Sequence, residues 1–345
     1  MAQNSPRGPL MVDVAGHELT AVDVHCLCHP LVGGVILFSR NFRDRLQLTE
    51  LVAAIHELRS PHLLVSVDQE GGRVQRLIDG FTRLPSSRTL GRRFEENRQA
   101  GEEAAWALGY IMASELREVG IDFSFAPVVD LFNPASAVIG TRAFSDEAAT
   151  VRKLADQVAI GMVQGGMIGV AKHFPGHGGV SEDSHTELPV DQRTIEQLRH
   201  ADLSVYERLP FDIYGGVLVA HVAFPAIDRD VASFSPYWIQ EQLRERLGFD
   251  GAVVCDDLMM GAAASVGSID ARVQLALDAG CDLVLVCNDR VAVNQVIETL
   301  EQAVWSPPLS DRLVRLTGGV TNQSIDVEPL QVLLTSLAEQ NDGNV

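Results

Sequence analysis

Positive charge is scarce in this chain: 27 Lys and Arg stand against 46 Asp and Glu among 345 residues, for a formal net charge of −19. That balance argues against a nucleic-acid surface, and anionic membranes would repel it. Long apolar runs are missing as well. None reaches the ~18–20 residues a membrane span needs, and residues 1–7 lack the apolar stretch of a signal peptide. The expected location is the cytoplasm. Cysteine is sparse and unpaired: Cys26, Cys28, Cys255, Cys281 and Cys287 are odd in number and show no C-x-x-C spacing, which favours neither a disulfide framework nor a structural zinc site. The run His25-Cys26-Leu27-Cys28-His29 looks like a metal cluster, but alternation along a helix end scatters such side chains around the axis.

What is present is apolar and regular. With 46% hydrophobic residues, the chain can bury a large core. Short β-branched runs at 32–38, 63–67, 123–129, 168–171, 216–222, 252–255 and 283–287 read as strands, with a first strand near 10–14. They are apolar on both faces, as in a parallel sheet covered by helices. Between them lie helical stripes such as Leu48, Leu51, Val52, Ile55 and Leu58, or Val151, Leu154, Ala155, Val158 and Met162. Ser235-Pro236 reads as a helix start and Gly280 as a stop. This rhythm predicts an α/β fold, a single (β/α)8 TIM barrel over residues 1–308, with residues 309–345 as a polar, peripheral C-terminal tail.

The polar residues fall where such a barrel puts its chemistry. Asp68, Asp130, Lys172-His173, His221, Asp256-Asp257 and Asn288 each end one of the apolar runs, and strands that finish this way aim those groups at one rim. The densest cluster is Lys172-His173-Phe174-Pro175-Gly176-His177-Gly178 with Asp183-Ser184-His185. Pro175 cannot donate to a strand ladder and the glycines release the backbone, so the segment should leave its strand as a long surface loop. Alone, it reads equally well as a Gly/Pro-rich loop whose histidines merely hydrogen-bond.

Four blocks in matching order resolve that ambiguity. Val67-Asp68-Gln69-Glu70-Gly71-Gly72-Arg73-Val74-Gln75-Arg76, Ile139-Gly140-Thr141-Arg142-Ala143-Phe144, the Lys172 segment with Asp183-Ser184-His185, and Asp256-Asp257-Leu258 resemble the signature blocks of glycoside hydrolase family 3. Within it, the chain is similar to compact bacterial β-N-acetylglucosaminidases of peptidoglycan recycling. The resemblance implies a single barrel, no metal or other cofactor, and retaining hydrolysis of terminal β-linked N-acetylglucosamine. The expected partner is a small carbohydrate or muropeptide, handled by a monomer, with no nucleic acid and no membrane involved.

Residue by residue, the resemblance makes Asp256 the nucleophile, and a carboxylate beneath a sugar can indeed attack the anomeric carbon to form a glycosyl-enzyme. Read alone, Asp256 could be a helix N-cap. Asp257 would be a supporting group. The acid/base role carries over to His185 with Asp183 as its partner, a departure from the common pair of carboxylic acids. An imidazole titrating near neutrality can protonate a leaving oxygen and later deprotonate water, while Asp183 fixes its tautomer. Glu182 is a rival acid. Sugar recognition falls by resemblance to Asp68, Arg76, Arg142, Lys172 and His173, whose charged donors and acceptors suit hydroxyl-rich ligands. Cys255 departs from the hydroxyl residue usual before the nucleophile.

Two other classes fit some of the same residues. A metal-dependent hydrolase could use His173, His177, His185 and Asp256 on the same rim, and a non-catalytic sugar sensor could keep the binding groups alone. One backbone feature is also expected by resemblance: a non-proline cis peptide at Lys172-His173-Phe174. Successive side chains of a strand point to opposite faces, yet Lys172 and His173 are both assigned to one sugar.

Overall fold

A computed structural model of the protein describes residues 3, 4, 6–184, 186–300, 309–320 and 325–342. Eight parallel strands form the central sheet: β1 (Leu10–Val12), β2 (Val32–Leu37), β3 (Leu64–Val67), β4 (Phe123–Ser124), β5 (Gly169–Phe174), β6 (Tyr214–Val219), β7 (Ala252–Cys255) and β8 (Leu283–Val286). Every residue in them is buried, because helices cover the outside and side chains fill the inside. That is why the strands read as continuous apolar runs and not as alternating ones.

The strands lie in the order β4-β3-β2-β1-β8-β7-β6-β5. The ring closes along two seams. β1 pairs with β8 through Leu10↔Val284 and Val12↔Val286. Beyond the short β4, Val128 bridges Lys172, with the Val129 amide donating to the Lys172 carbonyl at 2.8 Å and the Val170 amide to the Ala126 carbonyl at 2.7 Å. The result is the expected (β/α)8 barrel.

Two strands differ from the sequence reading. β4 stops at Ser124 short of the expected 123–129, because Pro127 has no amide hydrogen and its peptide bond to Ala126 is cis. β5 instead runs on to Phe174, past the residue where its first charge appears. Lys172 remains in the sheet because carboxylates from the β3 side neutralise it, as described below.

Around the barrel, the helix Arg45–Glu57 buries Leu48, Leu51, Val52 and Ile55. The helices α1 (Ser87–Glu96), α2 (Arg98–Glu118) and α3 (Ala148–Gln164) follow, and α3 buries Val151, Leu154, Ala155, Val158 and Met162. Ser235 receives the Trp238 amide at 3.1 Å ahead of a wide, π-type helix Tyr237–Arg246. Gly280, at φ 109°, ends Ile269–Ala279 as a left-handed stop. The last helix, α4 (Glu328–Asp342), packs on α1 and α2. Leu313, Leu316, Leu334 and Leu337 are all buried in the main core, so apolar positions among the polar residues after 309 are used for packing.

Candidate active site

At the carboxyl ends of the strands lies a cavity of about 260 Å³. Asp68, Arg76, Arg142, Lys172, His173, Asp183 and Asp256 all line it, with Glu70, His177 and Ser184, and with Phe125, Leu218, Met260 and Leu285 as apolar wall. His185 lies outside the described residues.

β5 positions two of these groups by an irregularity. It pairs with β6 at Lys172↔Leu218 and next at Phe174↔Val219, so His173 is an extra residue, a bulge. The Lys172–His173 peptide is cis. Lys172 and His173 therefore both face the cavity, while Phe174 turns outward to pack edge-on against Tyr206 and Trp238. The expected long surface loop is also corrected: residues 175–178 are buried. Gly176 takes φ 141°, and a Cβ there would come within 2.3 Å of the Asp202 Cβ, so the chain folds down into the barrel mouth only because this residue is glycine.

Lys172, one of only two lysines in the chain, donates to Asp68 at 2.8 Å and meets Glu70 at 2.5 Å. Arg142 grips Glu70 with a two-pronged fork, Nε at 2.9 Å and Nη2 at 2.8 Å. Burial alone would push the Glu70 carboxyl up, but Arg142 and then Lys172 override it and hold it well below the usual carboxylate range. Lys172 is likewise driven down by burial and raised on balance by Asp68 and Glu70, so its ammonium stays charged. Arg76 lines the same cavity with a buried Nε that has no hydrogen-bond partner among the described residues.

Asp130 organises the other wall. It is fully buried and accepts from the His177 amide at 2.7 Å, the His173 amide at 3.2 Å and His173 Nδ1 at 2.6 Å. Arg142 Nη2 stands 3.2 Å from His173 Nε2. A guanidinium can only donate, so Nε2 is the accepting nitrogen and Nδ1 the one that donates to Asp130. His177, whose pKa burial lowers first and His173 second, reaches Ser184 at 3.2 Å. Through that contact it holds the loop that bears Asp183.

The two adjacent carboxylates of the β7 end are treated differently. Burial pushes Asp256 up, but His221, His173, the Asp257 amide and Lys172 outweigh it and leave it below the usual range. His221 is itself kept neutral by burial, accepting from Ser233 at 2.7 Å and donating to the Asp257 carbonyl at 3.1 Å. Lys172 and the Asp257 amide, 2.9 Å from Asp256 Oδ1, are thus the groups that act at neutral pH. Asp257 turns away, toward the amides of Met259 and Cys287. Burial, followed by the Asp256 charge against these amides, carries it up to about 7. One carboxylate keeps the charge and its neighbour keeps a proton. The Cys255 thiol before them is buried, which pushes its pKa well up, so it adds no charge beside Asp256.

This division has a measurable consequence. The ordinary Asp257 value is 3.8 and the folded one about 7, so the folded chain holds a proton the unfolded chain has lost. The associated stability is complete below about pH 4 and is lost as pH rises through 7. Asp257→Asn cannot lose a proton. Its stability relative to the native chain should rise by up to about 4 kcal/mol between pH 4 and pH 8 in urea titrations. A gap independent of pH would mean that Asp257 titrates like an exposed acid.

Sequence reasoning gave Glu70 and Ser184 no site role, placed Asp130 on the rim without one, and named His177 only as a metal ligand in the alternative reading. Glu70 lay inside a quoted block and Asp130 at a strand end, but their partners are 72 and 43 residues away along the chain. Asn288, also read as a rim group, instead accepts from Arg40 at 2.9 Å, outside the cavity lining.

Comparison with known proteins agrees with this geometry. Residues 10–317 match the glycosyl hydrolase family 3 N terminal domain. A beta-hexosaminidase of Thiobacillus denitrificans is 50% identical over 311 residues, 90% of this chain and 86% of that protein. One from Nitrosomonas eutropha is 48% identical over 318 residues, 92% of this chain and 91% of its own. The crystal structure of NagZ from Neisseria gonorrhoeae in complex with N-trifluoroacetyl-D-glucosamine superposes with a TM-score of 0.92 at 38% identity, covering 98% of this chain and 100% of that one. The chain belongs to glycosyl hydrolase family 3 and is a glycoside hydrolase.

Proposed function

We propose that this protein is a retaining exo-β-N-acetylglucosaminidase that removes terminal, non-reducing β-linked N-acetylglucosamine from anhydro-muropeptides during cell-wall recycling in the cytoplasm, acting as a monomer. The chemistry is assigned to the barrel, residues 1–308. The observation that carries the reading is an ionised Asp256 in a cavity walled by Asp68, Arg76, Arg142, Lys172 and His173. At about 260 Å³ the cavity falls below the ~300 Å³ at which pockets for drug-sized ligands begin, which suits one sugar unit and hence exo action. The names of the relatives support a hexosaminide, and the bound N-trifluoroacetyl-D-glucosamine of the Neisseria protein supports an N-acylated sugar. The muropeptide assignment rests on the sequence resemblance. Among the described residues no helix is long and apolar enough to cross a membrane.

In the first step an Asp256 oxygen attacks the anomeric carbon as the glycosidic bond breaks, and His185 gives its proton to the departing oxygen. Asp183 steadies the resulting change of charge on the imidazole. In the second, His185 takes a proton from water, the water oxygen attacks the same carbon, and Asp256 leaves with its electron pair. Asp68, Arg76, Arg142, Lys172 and His173 grip the sugar hydroxyls and acetamide.

A fluorinated N-acetylglucosamine inactivator, which slows breakdown of the covalent intermediate more than its formation, should label Asp256 in peptide mass spectra. A label on Asp257 or Glu182 would overturn the assignment. His185→Ala should depress turnover of sugars with poor leaving groups far more than that of activated aryl glycosides, since only the former need the proton. Equal losses on both would make His185 a binding residue.

A further inference from the structure

Beside the sugar cavity, and sharing Arg73 with it, lies a larger groove of about 610 Å³. Arg73, Arg83, Arg88 and Arg92 line it, four guanidiniums in one depression of a chain whose net charge is −19. Arg73 is held at the turn of the hairpin Gln69–Gly71/Val74–Gln75 by donating to the Ala137 carbonyl at 3.0 Å. Gly71 and Gly72 make that turn with φ of 112° and 55°. Arg88 is partly engaged, donating to Glu95 at 2.9 Å and to the Phe144 carbonyl at 3.0 Å. Arg83 and Arg92 are exposed and make no hydrogen bond or ion pair among the described residues.

The polypeptide around them adds to the positive field. The N-terminus of α1 opens into the groove through Ser86 and Thr89, and its first turn carries no acidic residue. Arg88 and Arg92 stand four apart on α1, on one face. Guanidiniums crowded together cost stability through mutual repulsion unless an anion relieves it. Their planar forks match carboxylates.

We propose that this groove binds the carboxylates of the leaving group, so that the enzyme reads an acidic peptide on the aglycone with Arg83 and Arg92 while the cavity reads the sugar. The inference rests on the reading that the neighbouring cavity holds the non-reducing N-acetylglucosamine. An aglycone that carries a peptide is too large for a cavity of about 260 Å³ and must extend out of it, and Arg73 is the residue common to both depressions.

The test uses an N-acetylmuramyl peptide with free carboxylates and the same compound with those carboxylates converted to methyl amides, titrated calorimetrically into the whole protein. The acid should bind about tenfold more tightly than the amide at low salt, and the preference should shrink as sodium chloride is raised. It should be lost in Arg83→Gln/Arg92→Gln, whose fold circular dichroism checks. Equal affinities in the native protein, or a preference that survives both substitutions, would overturn the proposal. The native comparison and its salt dependence stand even if the variant does not fold. Hydrolysis of an aryl β-N-acetylglucosaminide, measured alongside, reports separately on the sugar cavity. Aryl turnover with equal affinities removes the groove alone, whereas acid preference without turnover removes the N-acetylglucosaminidase reading and with it the groove's leaving-group role.

Discussion

Replacing Asp256 with alanine should lower kcat at least about ten-thousandfold on every β-N-acetylglucosaminide, activated or natural. The reason lies in the neighbourhood. Asp257 points at the amides of Met259 and Cys287, is carried up to about 7 by burial, and is not among the residues lining the cavity. Glu70 is locked by Arg142 and Lys172. Among the described residues at the β7 end, no other carboxylate lines the cavity. Steady-state assays with pre-steady-state controls decide it, and a variant retaining a tenth of native turnover would remove Asp256 from the nucleophile's position. The fold should persist, since the lost group sits at a strand end and bears no part of the barrel ladder beyond its amide, which donates to Val219 at 3.2 Å.

Glu70→Gln should cost stability before it costs chemistry, by about 3–5 kcal/mol, because it strands buried cations without their counter-charge. Glu70 is 3% exposed, between an Arg142 that is 10% exposed and a Lys172 that is 4% exposed. The pH dependence has a definite sign. Glu70 is held below its ordinary value of 4.5, so its contribution is present above about that pH and is lost as pH falls toward the folded value. Native protein and variant should therefore converge in urea stability as pH is lowered from 7 toward 3. Asp68→Asn gives the contrast: at 24% exposure water replaces part of what is removed, and a smaller loss is expected. Equal losses at the two positions would mean that the ion cluster acts as one solvated network.

Both expectations depend on features that the sequence reveals unequally. The barrel was legible because buried parallel strands have no polar face, and the rim because apolar strands cannot absorb Asp68, Lys172 or Asp256 except at their ends. Convergence on one cavity follows from barrel closure, which brings residues of β3, β5 and β7 to one rim. What could not be read is which of two like neighbours does which task. Asp256 and Asp257 are identical letters; a lysine and one amide beside Asp256, and burial against the amides of Met259 and Cys287 at Asp257, distinguish them. Glu70 stays silent for a similar reason, since its value lies in two cations that arrive later in the chain, Arg142 from the turn Gly140–Arg142 and Lys172 from β5. The extra residue at His173 has no signature in local propensity, because a bulge is set by the partner strand. The groove of arginines is dispersed over two segments of ordinary polar sequence, and only the fold shows them to be adjacent.

The seam between β1 and β8 sets the order in which the molecule can be assembled. Leu10 meets Val284, a separation of 284 − 10 = 274 residues, so a ring begun at the ribosome by its first strand waits for its last. Until then β1 offers one unsatisfied edge and β7 another, both built of apolar residues that invite pairing with other chains. Contacts so distant along the chain also slow the search for the native ring. A nascent chain halted before Leu283 would thus be an open sheet with its sugar site already encoded and unable to close around it, more prone to association than to partial activity.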